Sequence, residues 1–499
     1  MKKLRKNLIV SLAYQAVAMI YGFVLPRLIL EQYGSETNGL IHSISQFLGI
    51  IGFLDMGVGQ VVRSALYRPL EKKDHDQISR IMVSGGRFYR KIAYALLGYV
   101  AILIICYPVL VDQSFGWLFT ASMIAIMAIG SFAQYYFGVI QEQLLHASQK
   151  SYLIYSIQIL CNLFNLVICV CMIRLGCPIH AIKLTTAVIF MIKPFFYTWY
   201  IRRKYAVNWR ITYEEEPIKQ KWHGMAQHLS AVVLDGTDNI VLTFFSTLSN
   251  VSIYSVYYMI IGSIQGFYQS AAVGIQSAAG AMWAKQDQQG IRKMFATVEM
   301  GLHTATVFLF CCTGILIVPF VQVYTNGLTD ANYFQPVFAA LLVLAYGIRC
   351  LRTPYNIWIL AAGHYKQTQR CHITAAALNL LISIFAVSRW GLVGISIGTL
   401  IAMCYQTIWM MMYTTNKLVK CGTFHVLKQW IVDIVAVLLI CVTTSGIALQ
   451  EVSYLGWFLM AVKVAVIAAV CTAAAVCVFY PKQIGQLVKN RSAKSNKQK

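Results

Sequence analysis

The chain has 499 residues, 58% of them hydrophobic and 12% charged, against roughly a quarter charged in a soluble globular protein. Its net charge of +23 is spread between apolar runs and not gathered on one basic domain, which argues against nucleic acid as a partner and for the Lys/Arg bias of membrane-protein loops. The 14 cysteines are scattered without CxxC…CxxC or Cys/His spacing, so they read as small apolar packing residues and no metal site is expected.

Apolar runs long enough to cross a bilayer, about 20 residues each, recur along the whole chain. Lys2, Lys3, Arg5 and Lys6 precede the first, which is too long for a cleavable leader and lacks a small-residue cleavage site. About fourteen spans are predicted, near 7–30, 39–67, 88–111, 117–140, 152–173, 179–201, 226–247, 251–283, 298–323, 335–361, 371–388, 391–413, 430–449 and 455–480. An even number puts both termini on one side. With that side cytoplasmic, 33 of the 41 basic residues fall on inner segments, which sets the orientation.

The expected class is an all-α membrane protein of two pseudo-symmetric six-helix lobes plus two C-terminal helices. The lobes are placed at 1–201 and 226–413, and a cytoplasmic linker at 202–225 holds Glu214, Glu215 and Glu216. The two extra helices occupy 414–480, and a basic cytoplasmic tail occupies 481–499. Shifted by 212 positions without gaps, Asn38, Ile41, Ser43, Val61, Lys73, Gln77, Arg80 and Met82 meet Asn250, Ile253, Ser255, Val273, Lys285, Gln289, Arg292 and Met294. Span two then corresponds to span eight, so the repeat is parallel, about an axis along the membrane normal.

An ionised side chain at mid-bilayer costs about 2.5–3.5 kcal/mol even on a lenient scale, so such residues face a bundle interior or a wet cavity. The cationic candidates are Arg27, Arg63, Lys193, Arg349, Arg352 and Lys463. The acidic ones are Asp55, Asp235 and Asp238, which leaves three positive charges over. Arg349 and Arg352 share one helix face before Pro354, a spacing that can grip a diphosphate with two guanidiniums. Asp235 and Asp238 repeat that spacing and either neutralise the arginines or carry a coupling ion. Lys193 precedes a mid-span proline, Pro194, which loosens the helix locally. Arg27 follows Pro26 and serves as an interfacial anchor or a cavity group; Arg63 and Lys463 either line the cavity or snorkel. In span eight, the stretch from Gly262 to Ser270 is too polar for lipid, and Gln265, Gln269 and Gln276 either hydrogen-bond sugar hydroxyls or pack against helices.

No phosphate-binding loop, HExxH, nucleophile elbow or dinucleotide fingerprint occurs, and no cofactor is expected. The short outer loops disfavour a membrane glycosyltransferase and favour transport.

Several segments carry a family resemblance. Asn38-Gly39-Leu40, Phe53-Leu54-Asp55-Met56-Gly57-Val58-Gly59 and Leu66-Tyr67-Arg68-Pro69-Leu70 resemble the start of the polysaccharide-biosynthesis flippases of the O-antigen and teichoic-acid export type. So do Leu144 through Tyr152, Thr237-Asp238-Asn239-Ile240 and Ile253-Tyr254-Ser255. That family belongs to the multidrug/oligosaccharidyl-lipid/polysaccharide exporter superfamily. The resemblance implies two six-helix lobes that alternate access, and a polyprenyl-diphosphate-linked oligosaccharide as substrate in a bacterial cytoplasmic membrane. It also implies polysaccharide-assembly proteins as partners. The rival readings are a multidrug or cation antiporter, which calls for an acidic cavity and twelve spans, and a flippase for the peptidoglycan precursor.

Overall fold

The computed structural model describes residues 2–55, 58–111, 115–213, 216, 236–284 and 286–481, and among them holds sixteen α-helices and no strand. In chain order the first seven are α1 (Lys2–Gly49), α2 (Val58–Lys72), α3 (His75–Leu110), α4 (Trp117–Ala133), α5 (Val139–Ala147), α6 (Ser151–Arg174) and α7 (Ile179–Lys204). Helix α8 covers 236–245 of the described residues. Then follow α9 (Leu248–Ala284), α10 (Gln288–Tyr324), α11 (Pro336–Leu351), α12 (Thr353–Ala361), α13 (Tyr365–Trp390), α14 (Leu392–Tyr413), α15 (Thr423–Thr444) and α16 (Tyr454–Phe479). Met56, Gly57, Glu214, Glu215, the whole segment 217–235 with Asp235, Lys285 and the tail from 482 lie outside the described residues.

Eleven helical stretches among the described residues are long and apolar enough to cross a membrane. One of them, Ile9–Gly52, is 44 residues long, twice what a bilayer needs. Gly34 divides it, with φ 80° and ψ 172° inside α1, a backbone region open to glycine alone. That division, the partly described α8 and the long but more polar α9 account for the fourteen spans. Apolar side chains such as Leu118, Phe385 and Val478 lie exposed on the outer faces, as lipid-facing positions require.

Several helices begin well before the predicted spans. Helix α3 starts at His75 and α10 at Gln288, where hydropathy places spans from 88 and 298. Their first turns are polar and are held by N-caps. Asp74 accepts from the Gln77 amide at 2.9 Å, and Asp287 from the Gln289 and Gly290 amides at 3.1 and 3.0 Å. A side-chain oxygen at this position satisfies amides that have no partner within the helix, so the helix extends beyond the apolar stretch.

These caps reveal the internal repeat more clearly than the identities do. A left-handed residue precedes each cap, Lys73 (φ 56°) in one case and, 213 positions later, Gln286 (φ 54°) in the other. The turn before α6 has Gln149 left-handed (φ 57°), and Gly363 (φ 70°) takes that place before α13, 214 positions on. Gly176 before α7 and Gly391 before α14, with φ 71° and 51°, continue the series at 215. The interrupted span α4–α5 ends at Ala147 and the interrupted span α11–α12 at Ala361, again 214 apart. The offset thus drifts from the predicted 212 by small insertions.

By contacts the chain forms two compact units, Met1–Ser255 and Val256–Lys499. In the first, α8 and the start of α9 pack on the second half of α1. Asn38 donates to Ser252 Oγ at 2.8 Å, Ser43 and Thr243 share a hydrogen at 2.8 Å, and Phe47 meets Phe244 edge-on at 5.5 Å. Gly39 lets the backbones touch, since a Cβ there would overlap the Leu248 carbonyl. In the second, α13 and α14 make the same kind of close approach, where a Cβ on Gly394 would overlap the backbone of Ala386. Such small-residue contacts are what bring helices together in lipid.

Gly39→Ala should therefore destabilise the first unit by about 1–3 kcal/mol through overpacking. Gly98→Ala, which would meet nothing within 4 Å, should leave the protein unchanged. Thermal melting of both variants in detergent checks this, and equal melting temperatures would contradict the packing described.

Candidate functional site

The first unit holds an open cavity of about 590 Å³. Its wall is built from α1 (Ser45, Leu48, Gly49), the 3₁₀ turn Ile50–Asp55 (Ile51, Asp55), α4 (Met127, Gly130, Ser131) and α7. Helix α7 contributes Lys183, Thr186, Ala187, Phe190 and Lys193, a spacing of three and four residues that keeps them on one side of the helix. At 1.5 Å per residue the two lysines stand roughly 15 Å apart along the axis, so the cavity has two cationic positions along its length.

The remaining wall comes from a π-helical segment, Gln134–Gly138, between α4 and α5. A wider turn changes the angle between consecutive side chains, and here the adjacent Gln134 and Tyr135, with Val139, all line the cavity. Such π segments recur at functional sites. This one packs against α7 where Pro194 interrupts the helical ladder; a Cβ on Gly138 would lie 3.3 Å from Pro194 Cβ.

Charge is held in a second layer around this wall. Tyr89 donates to Asp55 Oδ1 at 2.7 Å. Gln134 donates to Glu142 Oε1 at 3.0 Å, and Arg63 donates through Nε to Gln143 Oε1 at 3.1 Å. Glu142 is close enough for its charge to act on both Lys193 and Arg63, and His42 and Lys183 feel each other in the same way. Lys193 lies 4.5 Å from the centre of the Phe190 ring, a cation–π contact that stabilises an ammonium away from bulk water. Lys183, Lys193 and Arg63 against Asp55 and Glu142 leave one positive charge over. No group of three side chains among the described residues suits a metal ion.

The sequence candidates thus separate. Lys193 and Asp55 line this cavity and Arg63 stands behind it. Arg27 is half-buried in α1 and does not line it. Asp238 is buried at 3% exposure and accepts from Tyr254 at 2.8 Å. Arg349 and Arg352 belong to the second unit. Arg349 lies in the last turn of α11 with its guanidinium 5.9 Å from the Tyr346 ring centre. Arg352 sits at the joint between α11 and α12, 3.9 Å from Met403 Sδ. Gln265 is half-buried and Gln269 exposed, both on α9. Lys463 is exposed on α16, on a face turned outward and not into the bundle.

Two groups here are not among the sequence candidates. Lys183 lines the cavity on the same side of α7 as Lys193, and that shared face is the signal that finds it. Glu142 escaped notice because span four was ended at 140, two residues short of it.

No protein-family model matches the sequence, and no curated protein matches it either. Solved structures do match in shape. A lipid II flippase, MurJ, in an inward closed conformation superposes with a TM-score of 0.71 at 12% identity, over 96% of this chain and 99% of that one. The fold is that of these exporters. A multidrug resistance MATE family transporter of the MOP superfamily, inward-facing, gives 0.63 at 13% identity over 83% of this chain and 99% of its own. A MOP superfamily transporter from Pyrococcus furiosus, described as having a binding pocket of reverse polarity, gives 0.58 at 13% identity over 84% and 97%.

The cationic lining has a direct consequence. In a background whose native cysteines are replaced, Ser131→Cys should react faster with an anionic thiol reagent than with a cationic one of equal size. After correction for intrinsic reactivity, the ratio should be on the order of tenfold, and Lys183→Gln with Lys193→Gln should remove the preference. A preference for the cationic reagent would show that the carboxylates dominate the cavity.

Proposed function

We propose that the chain is a flippase that moves a polyprenyl-diphosphate-linked oligosaccharide from the inner to the outer leaflet of a bacterial cytoplasmic membrane by alternating access, for cell-surface polysaccharide export. Both termini lie in the cytoplasm, and polysaccharide-assembly proteins are its partners. The observation that carries the reading is the cavity of the first unit, with lysines at two heights and a net positive balance. An anionic head group entering such a cavity replaces water with fixed charge. Lys183 and Lys193 offer successive contacts to its phosphates, while Ser45, Ser131, Gln134 and Thr186 are suited to hydroxyl groups. The lipid tail stays in the bilayer, so only the polar head needs a wet path.

The spread of coverage supports the same direction. Similarity reaches 96% of the chain with the lipid II flippase and 83% with the MATE transporter, and the shortfall is about the size of the α15–α16 pair. A multidrug antiporter also calls for an acidic cavity, whereas cations prevail here. Arg349 and Arg352 in the second unit are assigned to the diphosphate as well, and Arg27 and Arg63 to its approach. Gln265 and Gln269 are assigned to the glycan, and Asp55, Asp235 and Asp238 to a coupling ion.

Reconstituted into liposomes, the protein should translocate a fluorescent polyprenyl-diphospho-oligosaccharide and leave a cationic dye in place. Lys183→Gln with Lys193→Gln should reduce the rate at least tenfold while insertion and melting stay near wild type, and Arg349→Gln with Arg352→Gln should do the same. Dye efflux without glycolipid movement would overturn the reading in favour of an antiporter. Wild-type glycolipid rates in both double variants would remove the phosphate contacts from it.

A further inference from the structure

The second unit contains a buried chain of polar groups. Glu299 and His303 lie one turn apart on α10, Tyr355 on α12, and Gln429, Trp430 and Asp433 on α15. Glu299 is 1% exposed, His303 and Tyr355 0%, and Asp433 6%. Tyr355 donates to Glu299 Oε1 at 2.9 Å; His303 Nδ1 lies 2.6 Å from Asp433 Oδ2; Gln429 donates to Asp433 Oδ1 at 2.9 Å. Trp430 Nε1 points at the Tyr355 oxygen at 3.4 Å, and His303 Nε2 stands 3.5 Å from that same oxygen.

Hydrogens can be counted along this chain. With Asp433 ionised and its Oδ1 accepting from Gln429, the His303–Asp433 bond is made by an Nδ1–H donor to the carboxylate. Tyr355 has a single hydroxyl hydrogen, and it goes to Glu299. If the imidazole is neutral, its Nε2 lone pair therefore faces an oxygen with no hydrogen to give. A proton on Nε2 turns that contact into a donor–acceptor pair and sets an imidazolium between two carboxylates. Two ionised carboxylates in an apolar bundle are costly without such a counter-charge.

We propose that Glu299, Tyr355, His303 and Asp433 form a proton-binding site, loaded at His303 Nε2, at the junction between the α15–α16 pair and the repeated helices of the second unit. Among the described residues a space of about 10 Å³ lies beside Asp433, lined by Thr304, Val307, Val432, Ala436, Thr472 and Val476. That is the lower limit for one water and too little for a hydrated sodium or calcium ion with its several oxygen ligands. Among the described residues, the other titratable and charged groups around the site include Tyr268 from α9, Arg292 from α10, Cys421 before α15, Lys428 from α15 and Tyr480 after α16. Arg292 and Lys428 donate to the Val419 and Phe479 carbonyls, at 3.2 and 2.9 Å, whereas His303 lies within the hydrogen-bonded chain that links the two acids. Because α15 is tied to α10 and α12 through these side chains, loading and unloading the proton strengthens and weakens that tie.

The test reads the proton itself and is independent of any transport assay. Full-length protein labelled with ¹⁵N-histidine is placed in nanodiscs and its ring-nitrogen resonances are followed from about pH 5 to 9, with His303 identified by its loss in His303→Gln. One resonance pair should pass from the neutral Nδ1–H form to imidazolium as pH falls. Asp433→Asn should cut the protonated fraction at the wild-type midpoint at least tenfold, and exchanging potassium for sodium should change nothing. If His303→Gln does not insert, the pair displaced by Asp433→Asn makes the identification. A His303 that keeps one protonation state throughout, a titration indifferent to Asp433→Asn, or one shifted by sodium would each overturn the proposal.

Discussion

An ionised side chain among apolar helices has to meet either water or an opposite charge, and the two units of this protein answer that requirement differently. The first opens a cavity around Lys183, Lys193 and Asp55. The second folds Glu299 and Asp433 into a hydrogen-bonded cluster about His303. A wet cationic hollow accepts a ligand of opposite charge. A closed cluster exchanges only what fits through it, and a proton fits.

This division of labour is laid on a duplicated backbone. Turns, caps and interrupted spans recur about 214 positions apart, yet the charged groups of the cavity and of the cluster do not recur with them. Counting 215 residues on from Gly176 and Gly391, Lys183 has Gly398 as its counterpart and Lys193 has Ile408. At an offset of 214, Glu142 has Asn356. Conversely, the 213 offset between the capped turns places Gly86 and Arg90 where α10 carries Glu299 and His303. Backbone geometry is set by glycines, left-handed residues and capping aspartates, few in number and restricted in chemistry. Lining residues are free to diverge, so each copy has acquired its own chemistry on a shared frame.

The same distinction explains what was legible in the sequence. Fourteen spans could be read because a bilayer imposes length and apolarity on every crossing segment, whereas four of the eight identities taken for the repeat, from Lys73 to Met82, fall one position off the 213 offset of the capped turns. The helix starts at His75 and Gln288 could not be read from hydropathy, since capped polar turns carry no apolar signal. Lys193 and Asp55 were flagged because a lone charge in an apolar run is conspicuous. Lys183 becomes a candidate only when its position on the same side of α7 as Lys193 is known. The cluster around His303 was invisible for a further reason. Its members are separated by 52 positions from His303 to Tyr355 and by 130 from His303 to Asp433, and no local pattern joins them.

The interrupted fourth and tenth spans tie geometry to chemistry most closely. Irregular backbone at membrane depth is tolerated where it is buried in protein or lines a wet space. In the first unit the π-helical turn ends at Gly138, and Gln134 and Tyr135 within it reach the cavity. In the second, the break falls at Arg352, 214 positions after Gly138, with Thr353 and Pro354 opening α12. One break has been filled with a glycine that lets α7 approach, the other with an arginine at a helix joint. Tyr355, three residues beyond Arg352, then starts the hydrogen-bonded chain to Glu299 and His303. A backbone irregularity inherited by both copies has thus become a cavity wall in one and the base of a polar cluster in the other.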